Sequence, residues 1–141
     1  MIAAIKANAD LALRQLRSLA EREFAYDREA VAWMCGYIER LRLSGELDDQ
    51  PKRQKLVSVF GSLLGECIVA SYGGAWREKD GQWCVMFDGT NGAFPFSKVE
   101  KQMANGLEDS IESFFTAIPI VFAAVLRSPV EARRRWWKFW K

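Results

Sequence analysis

The chain of 141 residues contains no histidine. This absence excludes Ser-His-Asp and Cys-His catalysis, and it removes the commonest ligand of protein-bound zinc and iron. It also removes the side chain that usually titrates near neutral pH. Enzymes without histidine exist, but the composition favours a non-enzymatic role.

Cysteine and proline are also scarce. The three cysteines, Cys35, Cys67 and Cys84, are widely spaced and form no CxxC pair. An odd count with this spacing argues against a disulfide framework or a zinc site, so we expect buried free thiols. Four prolines and ten glycines are too few for a disordered chain.

Long apolar runs are missing as well. The longest, residues 114–126, contains Thr116 and Pro119 and is too short to span a bilayer. Residues 1–19 carry charges at helical intervals, unlike a secretory signal. The sequence therefore predicts a soluble cytoplasmic protein, with one domain over residues 1–132.

Periodic apolar positions predict helices over residues 2–19 and 27–44, the second capped by Asp27, and a third from Pro51 to Tyr72. In the third helix, Gly61 and Gly65 lie four residues apart on one side, which predicts close packing of another element against bare backbone.

Asp80-Gly81 predicts a two-residue hairpin turn between strands 75–79 and 82–87, with Trp76, Trp83 and Val85 on the buried face. A short edge strand is expected over residues 93–96. Capping boxes at 97–100 and 128–131 and a helix start at Leu107 complete the pattern, with Pro119 kinking or splitting the helix that follows. The predicted fold is α+β, with five or six helices around an antiparallel sheet of about three strands.

A pattern over residues 63–110 resembles a family of small, functionally uncharacterised bacterial proteins. The matching residues run in four groups: Leu64-Gly65-Glu66; Tyr72-Gly73-Gly74-x-Trp76; Phe94-Pro95-Phe96-x-Lys98-Val99-x-Lys101; and Asn105-Gly106-x-Glu108-Asp109-Ser110. The resemblance covers about a third of the chain. It implies a domain family without an assigned activity, and therefore no catalytic residues.

Glu66 is the strongest single candidate for chemistry, because its neighbours on the helix are mostly apolar. A carboxylate there could be an acid or base with a perturbed pKa. The alternative is a structural role, in which Glu66 bonds the backbone of the Gly73-Gly74 turn or pairs with Lys98 or Lys101. We expect the structural role.

Three other patterns have simple structural explanations. Asn105 and Asp109, with neighbouring acids, could ligate a cation, but they lack the spacing of a calcium loop and favour a helix-capping role. No Gly-Lys-Ser/Thr motif follows the glycine turns, so no phosphate loop is expected. The aromatic residues of the hairpin could stack nucleic-acid bases, but core packing is favoured. We therefore expect no metal and no cofactor.

The C-terminal tail, residues 133–141, concentrates charge and aromatic area. Its five cations leave a charge of −3 on residues 1–132, because the whole chain carries +2. We expect the tail to continue the last helix. The residues with binding potential are Arg133, Arg134, Arg135, Trp136, Trp137, Lys138 and Trp140.

The tail could pack on its own chain or a second copy, bind another protein, lie on an anionic membrane, or contact nucleic acid. The acidic body disfavours nucleic acid, and packing on the same chain or a dimer partner is the first expectation. The function favoured by the sequence is a cytoplasmic binding or accessory module that acts through protein–protein contacts. A peripheral membrane protein anchored by the tail ranks second, and a histidine-free enzyme using Glu66 ranks third.

Overall fold

The computed structural model of the protein describes residues 1–126, so the predictions for the final helix and the tail lie outside the described residues. Within this range the fold is α+β, as the sequence predicts. The elements in chain order are α1 (Ile2–Ala20), α2 (Arg28–Ser44), α3 (Gln50–Tyr72), β1 (Ala75–Lys79), β2 (Gln82–Met86), β3 (Gly92–Ala93), α4 (Pro95–Asn105) and α5 (Ile111–Val121). Short 3-10 helices at Glu46–Asp48 and Gly106–Asp109 precede α3 and α5, and helical backbone resumes over residues 123–126.

The ends of α2 follow from local chemistry. The Asp27 carboxylate accepts a hydrogen bond from the Ala30 N–H at 3.2 Å, which satisfies one free donor of the first turn. At the other end Gly45 has φ 82, a conformation that glycine adopts without a steric penalty. The predicted bounds of α2 are confirmed.

The central element is α3, which contributes the largest group of buried residues. The start of α1 and the end of α3 line one pocket, while the end of α1 and the start of α3 line a second, so the two helices run antiparallel. By length and composition, α3 is the one described helix that could cross a membrane, but here it is the core helix of the fold. Its buried apolar side chains are Val57, Val59, Phe60, Leu63, Leu64, Cys67 and Ile68.

The hairpin forms in the predicted register, with Trp76 opposite Val85 and Lys79 opposite Gln82. Asp80 and Gly81 both have positive φ, at 53 and 79, as a type I′ turn requires. Strand β3 pairs with β2 and completes a three-stranded antiparallel sheet of order β1-β2-β3.

The two faces of the sheet differ less in burial than the alternation of apolar and polar residues along the strands predicts. Trp76 and Val85 are buried, and Trp83 is half-buried against the core, but Glu78 on the same face is exposed. Cys84, which points to the opposite face, is completely buried. Alternation therefore assigns Cys84 to the correct face but does not predict that this position is buried. The prediction of three buried free thiols is confirmed.

Two boundaries after the sheet differ from the predictions. The third strand ends at Ala93, and α4 begins at Pro95 rather than at Ser97. Proline suits a first helical turn because its fixed φ is helical and it has no N–H to leave unpaired. Ser97 does not cap the helix, since its hydroxyl donates to the Gln82 side chain at 3.2 Å.

The start of α5 also lies later than predicted. Leu107 belongs to the 3-10 helix, and α5 starts at Ile111, where the Ser110 hydroxyl accepts the Ser113 N–H at 3.2 Å. Pro119 lies inside α5, which ends two residues later at Val121. The predicted interruption near Pro119 therefore coincides with the observed end of the helix.

Candidate functional site

Two glycines on α3 let aromatic rings rest directly on its backbone. A Cβ atom on Gly65 would overlap the six-membered ring of Trp76, and one on Gly61 would lie 2.9 Å from Cε1 of Phe96. The two rings also contact each other, with centroids 5.9 Å apart. The close packing predicted for these glycines is confirmed, and it joins α3 to the hairpin and to α4.

Glu66 is half-buried beside this contact, and its carboxylate accepts a hydrogen bond from Nε1 of Trp76 at 3.0 Å. Glu66 therefore has a structural hydrogen bond, but its partner is Trp76 and not a lysine or the Gly73-Gly74 backbone, as the sequence predicted. A buried indole N–H needs an acceptor, and the residue after Gly65 is placed to supply it. Glu66 fixes the orientation of Trp76.

The two lysines expected to pair with Glu66 lie elsewhere. The Lys98 ammonium lies 4.7 Å from the ring centroid of Phe114, a cation–π contact between α4 and α5. Lys101 is exposed on α4. Both predictions of a Glu66–lysine pair are therefore wrong, because Lys98 faces Phe114 and Lys101 faces solvent, while the indole of Trp76 donates to the Glu66 carboxylate.

Glu66 also borders an open pocket of about 380 Å³ between the start of α1 and the end of α3. Lys6, Tyr26 and Arg77 are its other polar side chains, and no second acid of the described chain lines it. Burial, followed by the negative charges of Asp10 and Glu66, raises the pKa of Tyr26 above its ordinary value. A single carboxylate engaged by an indole gives no acid–base pair for catalysis.

The polar cluster before α5 is a closed local network. The Asn105 side chain donates to the Asp109 carboxylate at 2.6 Å, and Ser110 caps α5. Among residues 1–126, no three histidine, cysteine, aspartate or glutamate side chains are grouped so that they could hold a metal ion. The capping role predicted for Asn105 and Asp109 falls instead to Ser110, because Asn105 makes no side-chain capping bond and its amide bonds Asp109.

Sequence reasoning missed a buried amide at the centre of the helices. Gln102 is completely buried; its Nε2 donates to the Cys35 carbonyl at 2.9 Å, and its Oε1 accepts the Ile111 N–H at 2.9 Å. One side chain thus links α2, α4 and the start of α5. The sequence did indicate that Gln102 is buried, because Gln102 lies on the same helical face as the apolar Val99 and Met103.

A second missed feature is an open apolar groove between α1 and α3, with a volume of about 510 Å³. Leu11 and Leu19 border it from α1 and are 36% and 53% exposed. Residues 11, 15, 18 and 19 lie at helical spacing on one face, so the sequence did contain this signal. The full lining, called the α1–α3 groove below, is Leu11, Gln15, Leu16, Ser18, Leu19, Tyr37, Lys52, Lys55, Leu56, Val59 and Phe60.

The charges of the α1–α3 groove have one sign. Its two charged lining residues are Lys52 and Lys55, and none of the described residues that line it is acidic. Lys52 donates to Glu46 at 2.7 Å, and this hydrogen bond raises the pKa of the lysine. The groove therefore combines exposed leucine side chains with two lysines, of which Lys52 is paired with Glu46 outside the lining.

The binding residues predicted in the tail, 133–138 and 140, lie outside the described residues, so their role stays a prediction. The candidate sites among residues 1–126 include the Glu66–Trp76 contact, its adjoining pocket and the α1–α3 groove. Comparison of the chain with protein-family models, with curated proteins and with solved structures finds no match.

Proposed function

We propose that this protein is a non-enzymatic cytoplasmic binding module that accepts an acidic amphipathic helix of a partner protein in the α1–α3 groove. The observation that carries the proposal is the pair of exposed leucines, Leu11 and Leu19, beside a groove whose charged lining residues are both lysines. Apolar grooves between helices are a recurrent mode of recognising amphipathic helices.

The dimensions of the groove suit a helix. Leu11 and Leu19 are eight residues apart on one helix, which separates them by about 12 Å at a rise of ~1.5 Å per residue. A docked helix presents apolar side chains at positions i, i+4 and i+7 over a comparable length. Leu56, Val59 and Phe60 form the α3 wall against which those side chains would pack.

The lysines of the groove indicate which polar residues the partner helix should carry. Lys55 lines the groove, and the Lys52–Glu46 pair is solvent-exposed on both sides, at 41% and 49%. Acidic residues flanking the apolar stripe of a partner would complement these lysines. Exposed ion pairs contribute only about 0.2–1 kcal/mol each, so the leucines carry most of the affinity and the lysines select the partner.

A photo-reactive amino acid in place of Leu19 tests the proposal in the host cell. The expected cross-link joins position 19 to a segment with acidic residues flanking an apolar helical stripe. Binding of the corresponding synthetic peptide to the purified protein should fall at least tenfold for Leu19→Asp. The substitution removes an apolar contact, buries a carboxylate against the apolar stripe of the peptide, and repels the acidic residues of the peptide.

Leu43 provides the matched control, since it is 71% exposed on α2 and does not line the groove. Leu43→Asp should leave peptide binding unchanged, and both variants should unfold at the temperature of the unaltered protein. Equal effects of the two substitutions, or a cross-linked segment that is basic or lacks an apolar stripe, would refute this site. A cross-link to a second copy would replace the partner with a homodimer.

A further inference from the structure

The pocket beside Glu66 collects charged groups from three elements. It is lined by the start of α1, the end of α3 and β1, and has a volume of about 380 Å³. Each element contributes one charged residue to the lining: Lys6 from α1, Glu66 from α3 and Arg77 from β1. Pockets of this size that combine apolar walls with a few polar groups are typical of small-molecule sites. The apolar lining residues are Ile2, Val69, Ala70, Ala75 and Trp76.

The two cations of this pocket are not neutralised by any acid in the described part of the chain. Neither Lys6 nor Arg77 forms an ion pair there, and Asp10, one turn after Lys6 on α1, is paired with Arg14 at 3.5 Å. The Arg77 guanidinium donates to the Trp76 carbonyl at 3.3 Å, which holds it beside the pocket. That bond leaves most of the guanidinium N–H donors available to a ligand.

The acid and the tyrosine of the pocket also have bonding capacity to spare. Oε2 of Glu66 accepts the Trp76 indole N–H, while Oε1 has no hydrogen bond to any described residue. Tyr26 is half-buried, and its hydroxyl makes no hydrogen bond within the described residues. Burial, followed by the negative charges of Asp10 and Glu66, raises the pKa of Tyr26, so the hydroxyl keeps its proton and can donate a hydrogen bond to an anion.

The charges of the lining select the charge pattern of a ligand. Two lining residues are positive and one is negative, so a ligand with two anionic groups and one cationic group complements them. A dicarboxylate without an amine would be repelled by Glu66, and a neutral amino acid would leave one of the two cations without a carboxylate. An α-amino acid with an acidic side chain supplies two carboxylates and one ammonium group, and it therefore meets each charge of the pocket with the opposite sign.

We propose that this pocket binds a free acidic amino acid of the glutamate or aspartate type. The two carboxylates of the ligand pair with Lys6 and Arg77. The Tyr26 hydroxyl donates to one of these carboxylates, and the ammonium group of the ligand donates to Oε1 of Glu66. The ligand is bound without covalent change, because the pocket has no acid–base pair. The site shares no residue with the α1–α3 groove, so it goes beyond the proposed function.

Titration of the full chain with L-glutamate and L-aspartate tests the proposal, with calorimetry and the NMR signal of the Trp76 indole N–H as the two readouts. This N–H is bonded to Glu66, so a ligand at Oε1 should shift its resonance. We expect saturable binding of at least one of the two amino acids. Glutarate, which lacks the ammonium group, and L-glutamine, which lacks the second carboxylate, should each bind at least tenfold more weakly.

Substitutions of the charged lining residues test each contact. Lys6→Gln and Arg77→Gln should each weaken binding of the preferred amino acid at least tenfold. Lys79→Gln removes the same charge from β1 outside this pocket and should leave binding unchanged. Glu66→Gln keeps an oxygen that accepts the indole N–H but removes the charge that holds the ammonium group. It should therefore weaken binding of the amino acid and strengthen binding of glutarate, which a purely structural role of Glu66 does not predict.

Three results would overturn the proposal. The first is the absence of both heat and a resonance shift with either amino acid. The second is equal binding of glutarate or L-glutamine, which would show a general anion site. The third is an affinity that is the same for the Arg77→Gln and Lys79→Gln variants. None of these results affects the Leu19 test of the groove, so the two proposals fail independently.

Discussion

Substitution of Gly65 by alanine should destabilise the protein, although alanine is the better helix former. In the unaltered protein the Trp76 ring lies on the backbone at Gly65, and an added Cβ would overlap Cη2 and Cζ2 of that ring and lie 3.2 Å from Cγ of Pro95. Trp76 is only 5% exposed and holds a hydrogen bond to Glu66, so a shift of its ring disturbs both its packing and that bond.

The net effect combines two opposing terms. Overpacking a well-packed core costs about 1–3 kcal/mol, and the higher helix propensity of alanine offsets up to about 1 kcal/mol. We expect Gly65→Ala to lower the free energy of unfolding by on the order of 1–2 kcal/mol in urea denaturation. Displacement of the ring would also lengthen the bond from Trp76 to Glu66.

Gly36 is the matched control, because it lies inside α2, is exposed, and a Cβ there meets nothing within 4 Å. Gly36→Ala should stabilise the protein by about 0.5–1 kcal/mol, the usual gain for glycine to alanine in an open helix. The two substitutions are chemically identical and should have opposite signs. A Gly65→Ala protein as stable as the Gly36→Ala protein would contradict the packing argument.

The second test of the same contact is a double-mutant cycle. Phenylalanine lacks the two ring atoms that Cβ would meet, so Gly65→Ala should cost less in a Trp76→Phe background. We expect a coupling of on the order of 1 kcal/mol, within the range seen for residues in contact. Strict additivity would show that the strain lies elsewhere.

Three further outcomes are expected. Trp76→Ala should cost about 3–5 kcal/mol of unfolding free energy, as is usual for truncation of a buried aromatic side chain. Trp83→Ala should cost clearly less, because Trp83 is only half-buried. Equal losses for the two variants would contradict this expectation. Gln102→Leu should cost about 1–3 kcal/mol, since it leaves the buried Ile111 N–H without its acceptor and removes the bond to the Cys35 carbonyl, while Gln54→Leu on the exposed face of α3 should change stability by less than ~0.5 kcal/mol. Hydrogen bonds from Thr90 and Asn91 lower the pKa of Asp88 from 3.8 to about 2, so its stabilising contribution is present above pH 3.8 and is lost as the pH falls toward 2. Asp88→Ala should flatten the pH dependence of urea denaturation in that window, and an NMR titration of Asp88 with a midpoint near 3.8 would refute the assignment.

Local sequence signals determined most of the secondary structure. The cap at Asp27, the Asp80-Gly81 turn and the stop at Tyr72-Gly73 each depend on a few neighbouring residues, so the bounds of α2, the hairpin register and the end of α3 were predictable. The paired glycines of α3 also indicated a close contact, because a missing Cβ has one main structural use in a helix interior. The sequence could not name the rings that fill the space.

Other features depended on tertiary structure because they join distant parts of the chain. Glu66 bonds Trp76 across a helix–strand turn, and Gln102 bonds Cys35, 67 positions earlier. Helical periodicity shows that a residue faces inward but not which partner it meets, so the lysine partners expected for Glu66 were wrong. The third strand was expected at residues 93–96 and is found at Gly92–Ala93 for a related reason: Pro95 is compatible with both an edge strand and a first helical turn.

The α1–α3 groove shows the same division. The sequence by itself placed leucines on one face of α1 and clustered cations and tryptophans after residue 132. Whether the leucines at 11 and 19 were covered depended on how α3 packs against α1, and their exposure beside two lysines was decided by that packing. Likewise, composition marked α5 as apolar, but only the buried position of Ile118 and the exposed positions of Ile120 and Val121 separated its core face from its free face. Burial is a property of the neighbours that a fold assembles, and a one-dimensional pattern does not contain them.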